Sequence, residues 1–295
     1  MLSLPYEIIN KILNYIPKEY INTTQVCKQW RYVQSKQYVI TECKYCTTAL
    51  HAILKKHVKC LQYILLHTNQ SKCNIKYMFN SVIINRAFNC LKCIHKYGNT
   101  YISYQICAYA AEDGYIQALK YFHENKYPWN EKTFELAALN GSLDCLQFLY
   151  ENKCPWDFKT LSNAALFGHL DCLKYAYENG CPLTIYVCDN AALSGHIDCL
   201  RFAHEKGCPW DIQTCNNAAL SGHLDCLEFA HNNGCLWDEQ TCSNASYNGH
   251  LNCLEYAHNN MCPWNAQTCS NASRNGHLDC LKYAYENGCQ SATYI

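Results

Sequence analysis

The sequence carries no net charge, no long apolar run and none of the short motifs that mark the common catalytic sites. Lysine plus arginine and aspartate plus glutamate number 24 each in 295 residues. There is therefore no basic footprint for nucleic acid and no field to draw the chain to an anionic membrane, and neither partner is expected. No apolar stretch approaches the ~20 residues that span a bilayer. The opening MLSLPYEIINKILNYIPKEY places Glu7 inside its apolar stretch and has neither a basic leader nor a small-residue cleavage site, unlike a secretory signal. A phosphate loop, a nucleophile elbow and a metalloprotease helix are all missing. The expectation is a protein that is not an enzyme and takes no cofactor.

Cysteine, by contrast, is abundant, with 24 residues. In a short secreted chain that density would read as a disulfide framework. Without export features, the reading is free thiols in a reducing cytosol and a cytoplasmic location. Residues of hydrophobic type make up 49% of the chain, ample for the core of one or two domains. Asn, Ile, Lys and Tyr are also frequent, all residues with A/T-rich codons.

An internal repeat organises most of the length. Gly141, Gly168, Gly195, Gly222, Gly249 and Gly276 follow one another at 27 residues and open the phrases GSLDCL, GHLDCL, GHIDCL, GHLDCL, GHLNCL and GHLDCL. Gly114 begins a looser copy, GYIQAL, and the ladder Leu61, Leu91, Leu119, Leu146 carries the pattern back at spacings of 30, 28 and 27. One period, Pro209 to Cys235, reads as two helices. Asp211 is suited to cap the first, its carboxylate accepting from first-turn amides. Trp210 stands where a hydrophobic staple would reach Cys215. Ala218 and Ala219 allow close packing, and Gly222 ends the helix in a left-handed cap. Asp225 favours the start of the second helix through the helix dipole. Leu224, Leu227 and Ala230 form its buried stripe, and Gly234 closes it. Such a pair cannot bury its apolar face alone, so the units must stack.

The phrase AALSGHLDCLEFAHNNG resembles the ankyrin repeat, as does TTALHAIL at Thr47–Leu54, and the resemblance covers roughly residues 47–290. The period is about six residues shorter than the usual unit of ~33, and the shortfall sits in the loop that normally forms a projecting β-hairpin. The fold class expected is all-α: a helical-repeat solenoid over residues 41–295, with hairpins reduced or absent. Similar shortened copies occur in the ankyrin families of giant DNA viruses, which would imply a host cytosol.

Residues 1–40 do not fit the repeat. Ile8, Ile9, Ile12, Leu13 and Ile16 form one apolar stripe after Pro5, Pro17 stops that helix, and a second stretch carries Val26, Cys27 and Trp30. The string LPYEIINKILNYIP … VCKQWRYV resembles an F-box. That resemblance implies a helical module whose Leu4, Pro5, Ile8, Ile9, Ile12, Leu13, Ile16, Pro17, Val26, Cys27 and Trp30 bind a Skp-type adaptor, the small protein that links F-box proteins to a cullin–RING ubiquitin ligase. The alternative is that residues 1–40 only cap the first repeat.

Rival chemistries are weighed against the repeat. Cys43-x-x-Cys46 and Cys90-x-x-Cys93 have zinc half-site spacing, but a structural zinc needs four converging ligands, and most cysteines recur at fixed slots. Cys172, Cys199, Cys226, Cys253 and Cys280 fill an aliphatic slot, while Cys188, Cys215, Cys242 and Cys269 lie beside the alanine pair. Cysteine there acts as a small hydrophobe, and no metal is expected. Equivalent cysteines of adjacent repeats should be 8–10 Å apart, too far for a disulfide, so none is expected in the repeats. His169, His196, His223, His250 and His277 recur too regularly for an active site and should bond backbone at the inter-helix turn. The tryptophans at 129, 156, 210, 237 and 264 read as staples. Specificity for an unknown protein target is left to positions where copies differ: Phe158, Lys159, Ile185, Tyr186, Ile212 and Gln213 at the helix starts, with Tyr247 and Arg274 just before the glycine.

Overall fold

The computed structural model describes residues 48–67, 75–98 and 103–289. All eleven F-box-like residues named above, and the Cys43–Cys46 pair, lie outside the described residues. The described residues form 18 α-helices and no strand, paired along the chain as ankyrin-type units. The expected loss of the β-hairpins therefore holds throughout this region.

The described residues fall into two compact units, divided between Pro128 and Trp129. In the first, the pairs are α1 (Ala49–Leu54) with α2 (Val58–His67), α3 (Ile75–Ile84) with α4 (Phe88–Tyr97), and α5 (Tyr104–Glu112) with α6 (Ile116–Glu124). Their core is built from large side chains, among them Ile53, Leu61, Phe79, Ile83, Leu91 and Phe122, all essentially without exposure. In the second unit, six pairs repeat almost identically. They are α7 (Glu131–Leu139) with α8 (Leu143–Glu151), α9 (Lys159–Leu166) with α10 (Leu170–Glu178), and α11 (Ile185–Ser194) with α12 (Ile197–Glu205). There follow α13 (Ile212–Ser221) with α14 (Leu224–Asn232), α15 (Glu239–Asn248) with α16 (Leu251–Asn259), and α17 (Ala266–Asn275) with α18 (Leu278–Glu286).

The helix ends follow from the residues at them. Asp211, Asp238 and Asn265 cap α13, α15 and α17, each side-chain oxygen accepting from the backbone N–H two residues on at 2.8, 3.0 and 2.8 Å. Gly195, Gly222, Gly249 and Gly276 end four first helices at φ between +74° and +78°. The histidine that follows donates its backbone N–H to an alanine carbonyl five residues back, as His223 does to Ala218 at 2.9 Å. Gly-His is thus a Schellman stop, which needs a left-handed residue and then a turn back toward the helix. Second helices end the same way, Cys235 N–H reaching the Ala230 carbonyl at 3.0 Å. An asparagine at that end also reaches back one turn, Asn233 Nδ2 lying 2.8 Å from the Phe229 carbonyl.

The core of the second unit is made of small groups. Ala191, Ala192, Ala218 and Ala219 on first helices have no exposure, and Leu200 and Leu227 fill the second helices. First helices touch their counterparts in adjacent repeats far more extensively than second helices do, as expected where alanine faces alanine. The slot cysteines Cys172, Cys199, Cys226, Cys253 and Cys280 are buried like the leucines beside them. Burial pushes the thiols of Cys172, Cys226 and Cys253 up to about 12, which keeps them protonated and inert. The tryptophan staple is visible in the final pair, where Trp264 packs against the cluster of Cys269, Ala284 and Cys289.

One expectation about the thiols is overturned. Cys269 and Cys289 are joined by a disulfide, with Cα atoms 6.4 Å apart. The equivalent cysteines of earlier repeats, Cys188, Cys215 and Cys242, are not joined to one another. The bonded cysteines belong to one repeat, one on its first helix and one in the loop that folds back over that helix.

The glycine that closes most second helices is replaced in some copies. Lys126, Lys153 and Met261 adopt φ of +62°, +59° and +66° in its place. A side chain there meets the Cβ–carbonyl conflict that disfavours left-handed backbone. Met261 is 89% exposed, so little packing offsets the conflict. Met261→Gly is expected to stabilise the protein by about 1 kcal/mol, read as a higher thermal midpoint. A lower midpoint would refute this account of the turn.

Candidate interaction surface

The residues that differ between copies fall at the two ends of the first helices. Phe158 occupies the N-cap position of α9, 41% exposed, and Tyr186 lies in the first turn of α11, 53% exposed. Their rings are neighbours, with centroids 6.3 Å apart. Lys159 extends beside them, its Nζ 3.8 Å from Glu135 and 4.0 Å from Asp157. Ile185 and Ile212 are half-buried beneath this edge and Gln213 is exposed. These six positions therefore form one row across α9, α11 and α13. Tyr247, 49% exposed, and Arg274 lie at the other ends of α15 and α17. A ten-residue helix is about 15 Å long, so they make a separate locus rather than part of the same patch.

Glu135 is a residue that the sequence alone did not single out. It is 4% exposed, and Lys132 Nζ lies 2.7 Å from its carboxylate while Lys159 approaches from the next repeat. The same slot holds Ser162, Asp189, Asn216 and Ser243 further on. The Asp189 carboxylate accepts from Thr214 Oγ1 at 2.7 Å, and the Asn216 carboxamide oxygen from Thr241 Oγ1 at 2.6 Å. Burial raises the Asp189 pKa, against the lowering effect of the Thr214 hydroxyl. Because aspartate and asparagine make the same bond in successive copies, this is a joint between repeats and not a catalytic acid.

Asparagine makes a second set of joints, also missed. Asn190, Asn217, Asn244 and Asn271 each donate a side-chain N–H to a carbonyl 28 residues earlier, at 3.1, 3.4, 3.3 and 3.0 Å. The signal was present in the sequence as Asn163, Asn190, Asn217, Asn244 and Asn271, each directly before an alanine, at a helix-interior position where asparagine is a poor helix former.

The histidine ladder bonds backbone as expected, but across the repeat boundary. Nε2 of His169 lies 3.0 Å from the Leu139 carbonyl, and Nε2 of His277 3.0 Å from that of Tyr247. A carbonyl can only accept, so Nε2 carries the proton. Each ring also lies against the glycine of the preceding turn: a Cβ at Gly222 would stand 2.7 Å from His250 Cγ. The second-helix histidines differ. His204, His231 and His258 stack on Trp210, Trp237 and Trp264, with ring centroids 4.0, 3.6 and 3.9 Å apart. Phe229, Tyr256 and Tyr283 of the following repeat meet these stacks edge-on. The tryptophans are thus packed into the array on both sides.

Cys90 and Cys93 are buried on α4, and the Cys93 thiol faces the Val58 carbonyl at 3.8 Å. Burial moves the two thiols up to about 11 and about 12. Among the described residues, no three His, Cys, Asp or Glu side chains gather where a metal could be held. Nor is any described helix long and apolar enough to cross a membrane.

Residues 1–39 match the F-box-like family, and residues 188–231 match ankyrin repeats (many copies). Among solved structures, the human ASB11 ankyrin repeat domain is similar at 16% identity and a TM-score of 0.46, over 53% of this chain and 84% of that one. No curated protein matches the chain. The match over residues 188–231 agrees with the all-α helix pairs of the described residues, which have an ankyrin-like repeat arrangement.

The histidine joints generate two predictions. Gly222→Ala should cost about 3 kcal/mol, from left-handed strain plus displacement of the His250 ring, and Gly276→Ala only about 1 kcal/mol, since nothing lies within 4 Å of its Cβ. Equal losses in urea unfolding would contradict the joint. Burial lowers the pKa of His250, helped by His223 and His277 and opposed by its bond to the Leu220 carbonyl, and burial also lowers that of His231. The unfolded chain therefore takes up these protons first, and stability should fall as pH drops below about 6.5. His250→Gln should flatten the fall, and an unchanged slope would contradict the assignment.

Proposed function

We propose that the chain is a substrate-recruiting adaptor of a cullin–RING ubiquitin ligase, acting in the cytoplasm without catalytic residues of its own. Residues 1–40 bind a Skp-type adaptor through Leu4, Pro5 and the Ile8–Ile16 stripe, with Val26, Cys27 and Trp30. The repeats hold a protein target at the row formed by Phe158, Lys159, Ile185, Tyr186, Ile212 and Gln213, with Tyr247 and Arg274 as outlying contacts. Tethering the target to the ligase raises its effective concentration near the conjugating enzyme, which is all the acceleration this chain has to supply. The observation that carries the reading is the F-box-like match over residues 1–39 directly ahead of the repeats. The shortened repeats are in keeping with a viral protein working in a host cytosol.

Phe158 and Tyr186 support the target row. Aromatic groups with partial exposure on a rigid frame contribute much contact area for little lost entropy. Nothing in the array's internal bonding requires either ring to stay uncovered.

The test is a pull-down with a Skp-type adaptor, comparing the wild type with a Leu4→Ala, Pro5→Ala double variant. Retention of the wild type and loss of the variant, with helical content unchanged, is the expected result. If the wild type is not retained, residues 1–40 are a cap, and the chain is a plain ankyrin scaffold that sequesters its target. Phe158→Ala with Tyr186→Ala should abolish target capture while leaving adaptor binding and the thermal midpoint within about 1 kcal/mol of wild type.

A further inference from the structure

The Cys269–Cys289 bond belongs to a geometry that three other repeats share. The same two slots, 20 residues apart, hold Cys188 and Cys208, Cys215 and Cys235, and Cys242 and Cys262. All six sulfurs are buried. In each of these repeats the neighbouring loop thiol, followed by burial, raises the pKa of the helix thiol, so the two groups lie side by side. The loop thiol is itself anchored to the carbonyl of the residue that caps its repeat's first helix. Cys208, Cys235 and Cys262 approach those of Thr184, Asp211 and Asp238 at 3.1, 3.0 and 3.2 Å. Cys289 lies 3.5 Å from the Asn265 carbonyl oxygen in the same manner. The bonded pair's Cα atoms are 6.4 Å apart, inside the 4.4–6.8 Å range of disulfides, and the three other repeats share its two slots and its thiol–carbonyl contact.

We propose that Cys188–Cys208, Cys215–Cys235 and Cys242–Cys262 are dithiol sites that close into intra-repeat disulfides under oxidising conditions, in the arrangement of Cys269–Cys289. The co-reactant is a small disulfide such as oxidised glutathione. One protein thiolate attacks it to form a mixed disulfide and release one glutathione. The second protein thiolate then displaces the other glutathione. Two protein thiols are oxidised, one glutathione disulfide is reduced to two thiols, and the two protein protons end on these. Each bond clips the loop after the second helix to the first helix of its own repeat, so the helix pair can no longer open there. Access comes through local opening, which is easiest in the last described pair, where Leu281 is only partly buried while Leu254 and Leu227 are fully so. The order of closure is thus from Cys269–Cys289 backward along the array.

The test uses the full chain, reduced and then equilibrated in glutathione buffers of rising oxidised fraction, with acid quenching and differential alkylation read by peptide mass mapping. Every disulfide found should join cysteines 20 residues apart. Cys181, Cys226 and Cys253 should stay reduced, since Leu161, Ser246 and Ser273 stand 20 residues from them. The oxidised chain should melt several degrees above the reduced one. Cys262→Ala, a small apolar replacement, should abolish only the pairing of Cys242. The proposal is overturned if the folded chain oxidises only at Cys269–Cys289, if its thiols remain reduced throughout, or if bonds form between other cysteines.

Discussion

Neighbouring first helices approach so closely that side chains of one bond the main chain of the next, and the rest of the second unit depends on that approach. Alanine pairs permit it, because no longer side chain could stand between the helices without forcing them apart. Asparagine then reaches a carbonyl 28 residues back and histidine one 30 residues back, each in the preceding repeat. Threonine reaches a side chain 25 residues back at the same interface. These offsets are the 27-residue period shifted by a few residues, so a slip in register would break all of them together. Left unpaired, the buried Thr214–Asp189 joint would cost about 1–3 kcal/mol for each polar group stranded.

The short period has a structural consequence of its own. With both helix ends stopped by Schellman turns, few residues remain to connect one repeat to the next. Those few are occupied by an anchored cysteine, a packed tryptophan and a cap, as in Cys235, Trp237 and Asp238. Nothing is left over to project as a hairpin. The variable positions are confined to the helix ends, where Phe158 and Tyr186 stand out from an otherwise uniform frame.

Much of this was legible in the residues, because the period-setting features are local. Glycine at a left-handed stop, an acid at a helix start and leucine on a buried stripe each follow from one helix's own needs. What was not legible depends on which copy a side chain reaches. The histidines were expected to bond backbone at the inter-helix turn, and His169 and His277 do so at the turn of the preceding repeat, a choice of copy that the sequence does not mark. The asparagines passed unnoticed because their partners are carbonyls, which leave no mark in sequence. The cysteine disulfide was missed because distance was judged between like slots, while the close pair joins unlike slots of one repeat. Lys126, Lys153 and Met261 could have been flagged by aligning them with Gly180, Gly207 and Gly234, since they take the same left-handed backbone. Among the site residues, Phe158, Lys159 and Tyr186 fall together as their shared place in the repeat implies. Tyr247 and Arg274 do not, because the two variable loci sit at opposite ends of a helix.

The most direct test of the central claim is native-state hydrogen exchange on Asn217→Ala, which deletes one bond between α11 and α13 and leaves both helices' own sequences otherwise intact. The account predicts several-fold faster exchange in Ile185–Ser194 and Ile212–Ser221, from a loss of about 1 kcal/mol at that joint, with Glu131–Leu139 unchanged. Unaltered protection in both flanking helices, or an equal loss along the whole second unit, would contradict it.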